Sequence, residues 1–372
     1  MQCKHFGECG SCVLFDVAYS DQISEKKSRV EGLLAPFSEH NLEVFYGNEH
    51  HYRARAEFRI WHEGGECFYG MGNIAKKGTI TISECPKVIE PIEALMSPLL
   101  ADINANEVLK TKLFAIEFLA TTGGEVLVTM IYHRKLDSVW EEQAKALEIK
   151  HNIHIIGRSR KQKVILSQEF VTQMLPIDNR EYSYVQYEGG FTQPNPQVNI
   201  KMIEWAIAQA KKVGSGDLLE SYCGLGNFTI PLSRYFDKVL ATEISKRSIK
   251  AAQQNCEFNG VDNIEFIRLS SEEMSEALSK KREFRRLAHI DLNSYSFSTV
   301  LVDPPRAGLD KDTIDLISNI DNIIYISCNP ETLARDLETL TLTHNVEAHA
   351  IFDQFPYTHH IESGVFLKAK AL

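Results

Sequence analysis

The chain has 372 residues, enough for two domains, and its 44% hydrophobic and 24% charged residues are those of an ordinary globular protein rather than a disordered or fibrous one. No apolar run approaches the about 20 residues that span a bilayer, and Met1-Gln2-Cys3-Lys4-His5 is no apolar signal region, so a cytoplasmic protein without a membrane partner is expected. A formal net charge of −10 argues against a protein that coats nucleic acid without specificity, though a confined basic surface would still suit an RNA enzyme.

Residues 1–15 are a cysteine-rich leader. Eight cysteines in a reducing compartment point to thiol chemistry or metal binding rather than to disulfides. Ile23, Val30, Leu33 and Leu34 recur at helical spacing and predict a helix over 20–35 that Pro36 ends. Residues 50–185 mix helices with strand-like runs such as Ala56–Trp61 and Glu125–Tyr132, the pattern of an α+β domain. From about residue 190 the pattern changes. Val198–Val213 reads as an amphipathic helix. Strand-like runs then follow at Asp217–Glu220, Lys238–Glu243, Ile264–Leu269, Ser298–Val302, Ile323–Ser327, Glu347–Phe352 and Gly364–Ala369, with helical stretches between most of them. This alternation predicts an α/β fold with a Rossmann-like, parallel-rich, doubly wound sheet, whose ligands bind at the carboxyl ends of the strands.

The motifs fall at those ends. Ser221-Tyr222-Cys223-Gly224-Leu225-Gly226-Asn227 joins a strand to a helix, and its glycines allow close backbone approach to a ligand. Cys223 reads as a small buried residue. Glu243 closes the next strand, where a carboxylate can hold ribose hydroxyls. Thr229 stands where a dinucleotide fingerprint would place a third glycine, so an adenosine ligand without pyrophosphate fits better, with S-adenosylmethionine the obvious candidate. A tight structural turn is the plainer alternative. Asp303-Pro304-Pro305-Arg306 ends another strand in a stiff turn that can hold a carboxylate toward the methyl donor or the substrate base.

Cys328 and Glu362 distinguish the reaction. Uracil C5 is a poor nucleophile until a thiolate adds to C6, and a base must later remove the C5 proton. Cys328 precedes Asn329-Pro330, a good N-cap and first-turn pair. A helix N-terminus there is expected to favour the thiolate. Glu362 is the carboxylate placed to act as base. A buried structural cysteine and a solvated surface glutamate are the competing readings.

With these residues the sequence resembles the RNA uracil-5-methyltransferase family, and within it the branch that acts on tRNA. The similarity runs from about Leu33 to Leu367 and includes the stretches Tyr52–His62, Tyr132–Asp137, Phe191–Asn195 and Phe352–His360. The resemblance implies that Gln193, Tyr222, Asn227, Glu243 and Asp303 contact S-adenosylmethionine, that Cys328 is the nucleophile and that Glu362 is the general base. It implies the T-loop uridine of tRNA as substrate, 5-methyluridine as product, and a base flipped from its stack. A monomer with a T-arm partner is expected. Arg53, Arg55 and Arg59 on one strand suit RNA or a plain charged strand face. Arg158, Arg160, Lys161 and Lys163 form a second basic cluster, and Phe114 reads equally as a base-stacking or a core residue.

The leader departs from the tRNA branch. Cys3, Cys9 and Cys12, with Cys85 before Pro86, resemble the iron–sulfur ligands of relatives that methylate ribosomal RNA. A [4Fe-4S] cluster is the expectation. Structural zinc, Cys67 as fourth ligand, and an unligated set stay open. The expected organisation is a cysteine module at 1–15 with Cys85, an α+β RNA-recognition domain at 16–190 and a methyltransferase domain at 191–372. The same chemistry on a 23S rRNA uridine, an amino-directed methyltransferase, and an RNA-binding or folding factor are the alternatives.

Overall fold

The computed structural model describes residues 1–371. Two sheets dominate it. The first has seven strands in the spatial order Thr79–Ile82, Glu66–Gly72, Arg55–Glu63, Leu113–Ala120, Val126–Tyr132, His154–Ser159 and Gln162–Ile165. Its pairs are antiparallel except that between Val126–Tyr132 and His154–Ser159. That parallel pair is joined by the Ser138–His151 helix, as a parallel connection requires a crossover. The hairpin Phe170–Ile177 with Arg180–Tyr187 leads from this sheet to the second half of the chain.

The second sheet has eight strands in the order Glu43–Tyr46, His344–Asp353, Glu362–Ala369, Asn322–Ser327, Phe297–Val302, Asp217–Ser221, Val239–Thr242 and Ile264–Ile267. The expected α/β fold is therefore present. All neighbours run parallel except Glu362–Ala369, which is antiparallel to both of its partners. The inner strands are buried on both faces, as apolar runs such as Ile323–Ile326 require. Strand order reverses between Asp217–Ser221 and Phe297–Val302, which opens a crevice at their carboxyl ends. Local sequence sets the helix starts around it. Asn195 caps Pro196–Ala210, Ser270 and Glu273 form a capping box, and Asn329 caps Pro330–Leu340.

Glu43–Tyr46 carried no strand signal in the sequence, yet it pairs in parallel with Ala350–Asp353 at the edge of the second sheet. The helix before it, Tyr19–Leu34, packs on the same half of the chain. Its inward face includes Gln22 and Lys26 as well as Val30 and Leu34. The Lys26 ammonium lies 2.7 Å from Asp353, with side chains 4% and 2% exposed, and also donates to the Phe355 carbonyl. Tyr19 donates to the other Asp353 oxygen, and Gln22 accepts from the Tyr357 amide. Burial pulls the Lys26 pKa down, and Asp353 offsets part of that. Removing one partner of a buried pair leaves the other charge uncompensated. Lys26→Met is expected to cost about 3 kcal/mol in urea unfolding, and a loss below about 1 kcal/mol would refute a structural role for the pair. Among the described residues no helix is long and apolar enough to cross a membrane.

Candidate active site

The strand register assembles the site. Asn322–Ser327 and Glu362–Ala369 run antiparallel with Ser327 opposite Ser363, so Cys328 and Glu362 are the next residues at the same sheet edge. Because the last strand is reversed, its first residue meets the final residues of its parallel neighbours. Tyr222, Glu243 and Asp303 immediately follow three of those parallel strands. Cys328, Glu362, Gln193, Tyr222, Glu243 and Asp303 all line one cleft of about 800 Å³. Asn227 is set apart. It lines a smaller adjoining cavity with Gln193, Tyr222 and Asp303. Its amide is held by Asn199 in reciprocal bonds of 2.8 and 2.9 Å, so it braces the turn against the Pro196–Ala210 helix.

Tyr222 takes φ of 65°, a left-handed conformation uncommon for a tyrosine. Its hydroxyl is bonded to Ser271 at 2.5 Å. Gly226 follows at φ 86°, where a side chain would be strained and would crowd Ile230 at 3.0 Å. Glu243 accepts from the Gly224 amide at 3.2 Å and from the Ser245 amide at 2.7 Å, which points its carboxylate at the turn. Such a carboxylate beside an exposed Ile244 can hold a ribose edge while the apolar side chain faces a base. Cys223 is buried, as expected.

Acidic groups outnumber cations around the nucleophile. Burial raises the Cys328 pKa to about 11, and Glu362 and Asp303 push it further than Arg306 and a backbone bond pull it down. The expectation that the helix start favours a thiolate is not met: desolvation and two nearby carboxyls raise the thiol. Glu362 is 6% exposed and its pKa is raised well above 4.5, first by burial and then by Asp303. Burial alone raises Asp303 from 3.8 to about 7. Arg306 lowers both Cys328 and Glu362, and its Nη2 lies 2.5 Å from Nδ1 of His360. Arg306, His360 and Phe355 complete this wall of the cleft. None of the three was assigned a role from sequence. Arg306 was within reach of that reading, because it adjoins Asp303.

The raised Asp303 value has a measurable consequence. The folded chain keeps a proton that the unfolded chain releases, so the associated stability is complete below the unfolded pKa and is lost as pH rises through about 7. Asp303→Asn cannot ionise. It is expected to stabilise the protein by about 1–3 kcal/mol at about pH 8, discounted for the open cleft, and to be neutral near about pH 4. Equal changes in Tm at both pH values would refute the cause.

The basic residues sort into two groups. Arg53 and Arg55 reach the cleft itself. Arg55 pairs with Glu117 and donates to the Gly190 carbonyl. Arg59 lies over Phe114, which stacks on His133 at 4.2 Å, so Phe114 is a half-buried surface ring and not a core residue. Arg158, Arg160 and Lys161 line a separate open groove with Arg134 and Lys135, whereas Lys163 turns to Glu169.

Cys3, Cys9, Cys12 and Cys85 line one small cavity, while Cys67 lies elsewhere, in the first sheet's core beside His62. Burial raises the thiols of Cys3 and Cys12, and that of Cys85 to about 11. Among the described residues, no three His, Cys, Asp or Glu side chains are arranged to hold a metal ion.

The relatives of this chain have the same extent. A protein of Sulfurovum sp. named tRNA/tmRNA (uracil-C(5))-methyltransferase is 70% identical over 371 residues, covering 100% of both chains. Proteins of the same name from Nitratiruptor sp. and Neisseria meningitidis are 53% and 52% identical, covering 99% and 95% of this chain and 99% of each relative. The fold is similar to that of Pyrococcus abyssi tRNA (uracil-54, C5)-methyltransferase, solved in complex with S-adenosyl-L-homocysteine. The TM-score is 0.72 at 22% identity, over 96% of this chain and 85% of that one. Residues 18–370 match the family described as tRNA (Uracil-5-)-methyltransferase, and the chain belongs to that family of methyltransferases.

Proposed function

We propose that the protein methylates C5 of the T-loop uridine of tRNA, with S-adenosylmethionine as donor. The observation that carries this reading is the register that brings Cys328 and Glu362 to one sheet edge, in the cleft that also holds Asp303 and Glu243. Glu243 would hold the ribose, and Gln193, Tyr222 and Asp303 the rest of the donor, with Asn227 bracing the turn. S-adenosylmethionine supplies an electrophilic methyl group when bound. Glu243, Asp303 and Glu362 line the cleft, where a carboxylate suits a ligand with a positive centre.

The protein's own groups do the rest. Cys328 gives its thiol proton to Asp303, the second carboxyl beside it, which leaves Glu362 ionised, and its sulfur adds to uracil C6, leaving C5 electron-rich. Once C5 carries the methyl group, Glu362 takes the C5 proton. The electron pair re-forms the C5–C6 double bond, and the sulfur leaves. Arg306 stabilises the anionic forms of both residues. The names of the relatives, which include tmRNA, support an RNA with a T-arm. Arg53, Arg55 and the Arg59–Phe114–His133 stack would receive it.

We infer that Cys3, Cys9, Cys12 and Cys85 hold a [4Fe-4S] cluster. The shared cavity supports this set over one with Cys67, and four thiolates suit such a cluster. It would brace the leader against the first sheet. Brown protein absorbing near about 400 nm after anaerobic purification is expected. A colourless preparation containing zinc, or no metal, would refute it.

The functional test uses labelled S-adenosylmethionine with an unmodified tRNA transcript and a 23S rRNA domain, followed by mapping of the methylated nucleotide. Label at the T-loop uridine supports the proposal. Label confined to the ribosomal fragment would transfer the same chemistry to the alternative substrate.

A further inference from the structure

One buried carboxylate outside the reaction connects the basic groove to the cleft. Glu188 is 4% exposed and directly precedes Gly189-Gly190-Phe191-Thr192-Gln193, all of which line the cleft. Cations from both halves of the chain converge on it. From the first sheet, Arg158 grips it in a two-pronged contact, with Nη2 at 2.7 Å from Oε2, and the Lys163 ammonium lies at 3.1 Å. From the Lys246–Asn259 helix, Arg247 lies at 3.8 Å, stacks over Tyr187 at 5.1 Å and itself lines the cleft. Glu169 joins Lys163 and Arg247 from the other side. Burial raises the Glu188 pKa, but Arg158 and Lys163 more than offset it, so the carboxyl is held below its ordinary value and stays ionised.

Arg158 faces two ways. Its Nε and Nη2 serve Glu188, while its side chain is 39% exposed in the groove. The residues lining that groove include Arg134, Lys135, Arg158, Arg160 and Lys161 and no carboxylate. A guanidinium has a second N–H edge, so a phosphate on the groove side can engage Arg158 without displacing Glu188. Such a contact would hold Arg158 in the geometry that clamps Glu188.

We propose that Glu188 is a positioning residue: it locks the Gly189–Gln193 wall of the cleft and, through Arg158, makes RNA in the basic groove and cofactor in the cleft bind cooperatively. This rests on the assignment of the cleft to the methyl donor and of the basic surface to RNA. Coupling between binding sites is reciprocal, so either ligand should tighten the other by the same factor.

The test is calorimetric titration of the full chain with S-adenosylhomocysteine, with and without a T-arm hairpin, well below the Tm. The wild type is expected to bind S-adenosylhomocysteine about fivefold or more tightly when the hairpin is present. Glu188→Gln should weaken binding without RNA by about tenfold and bring the ratio of affinities to about one. A residue that only supported the fold would lower Tm and leave that ratio intact. If Glu188→Gln does not fold, Lys163→Met decides, because Lys163 lies outside both the groove lining and the cleft lining; a lowered ratio supports the clamp. A wild-type ratio in the folded variant, or no coupling in a wild type that binds both ligands, overturns the proposal alone. A wild type that binds neither ligand overturns the functional reading and the proposal with it.

Discussion

Cys328→Ala should abolish methyl transfer, with a rate loss on the order of 10⁴-fold or more, while the protein still folds and still binds S-adenosylhomocysteine. The size of the effect follows from the chemistry. Without a sulfur adding to C6 there is no electron-rich C5, and no other group in the cleft can replace that bond. The side chain is half-buried and small, so its loss leaves only a minor void. Two readouts check the result: label transferred to tRNA, and a covalent complex with 5-fluorouridine RNA on a denaturing gel. The wild type should form the complex, because fluorine at C5 cannot be removed as a proton. Methylation by the alanine variant at near wild-type rate would exclude this mechanism and favour amino-directed transfer. Unchanged RNA binding with no activity in either protein would favour a binding or folding factor.

Glu362→Gln should separate the two halves of the reaction. Addition and methyl transfer need the sulfur, whereas release needs the C5 proton to leave. Turnover should fall by about 10²–10⁴-fold, the usual contribution of a positioned general base. A methylated protein–RNA adduct should accumulate with natural uridine. The wild-type pH profile should share this origin. A base works only when ionised, and burial and Asp303 raise the Glu362 pKa well above 4.5. Activity should therefore fall as pH drops through that raised value, and the residual rate of the variant should lack this limb. Free methylated tRNA released by the variant at the wild-type rate would remove Glu362 from the mechanism.

Much of the second sheet was legible in the sequence because its inner strands are short apolar runs bounded by turns. Ile323–Ser327 and Ser298–Val302 needed nothing beyond their own residues. The Glu43–Tyr46 strand was not legible, because only its pairing with Ala350–Asp353 makes it a strand. The helix at 20–35 was found from Val30 and Leu34, but its inward Gln22 and Lys26 look like surface residues until Asp353 and Tyr357 are placed against them. The catalytic pair was recognisable by residue type and motif. Its protonation was not: the helix start beside Cys328 is local, whereas the carboxyls that raise the thiol come from other strands. Asn227 was assigned to the ligand by the resemblance; that its amide also pairs with Asn199, on the Pro196–Ala210 helix, was not legible, because the two are far apart in the chain.

The pairing of residues 43–46 with residues 350–353 also bears on how the chain is made. Residues 19–46 leave the ribosome early, but the strands and loop they dock against are synthesised last. Closing so long a loop is entropically slow, and pairings of this kind dominate folding times. Until residue 353 has emerged Lys26 has no Asp353, and until residue 362 has emerged Cys328 has no base beside it. A nascent or truncated chain can thus bury its first sheet without the base that releases the product, so turnover waits for the finished molecule. The waiting edge of the second sheet is meanwhile the part of the chain most in need of protection from aggregation.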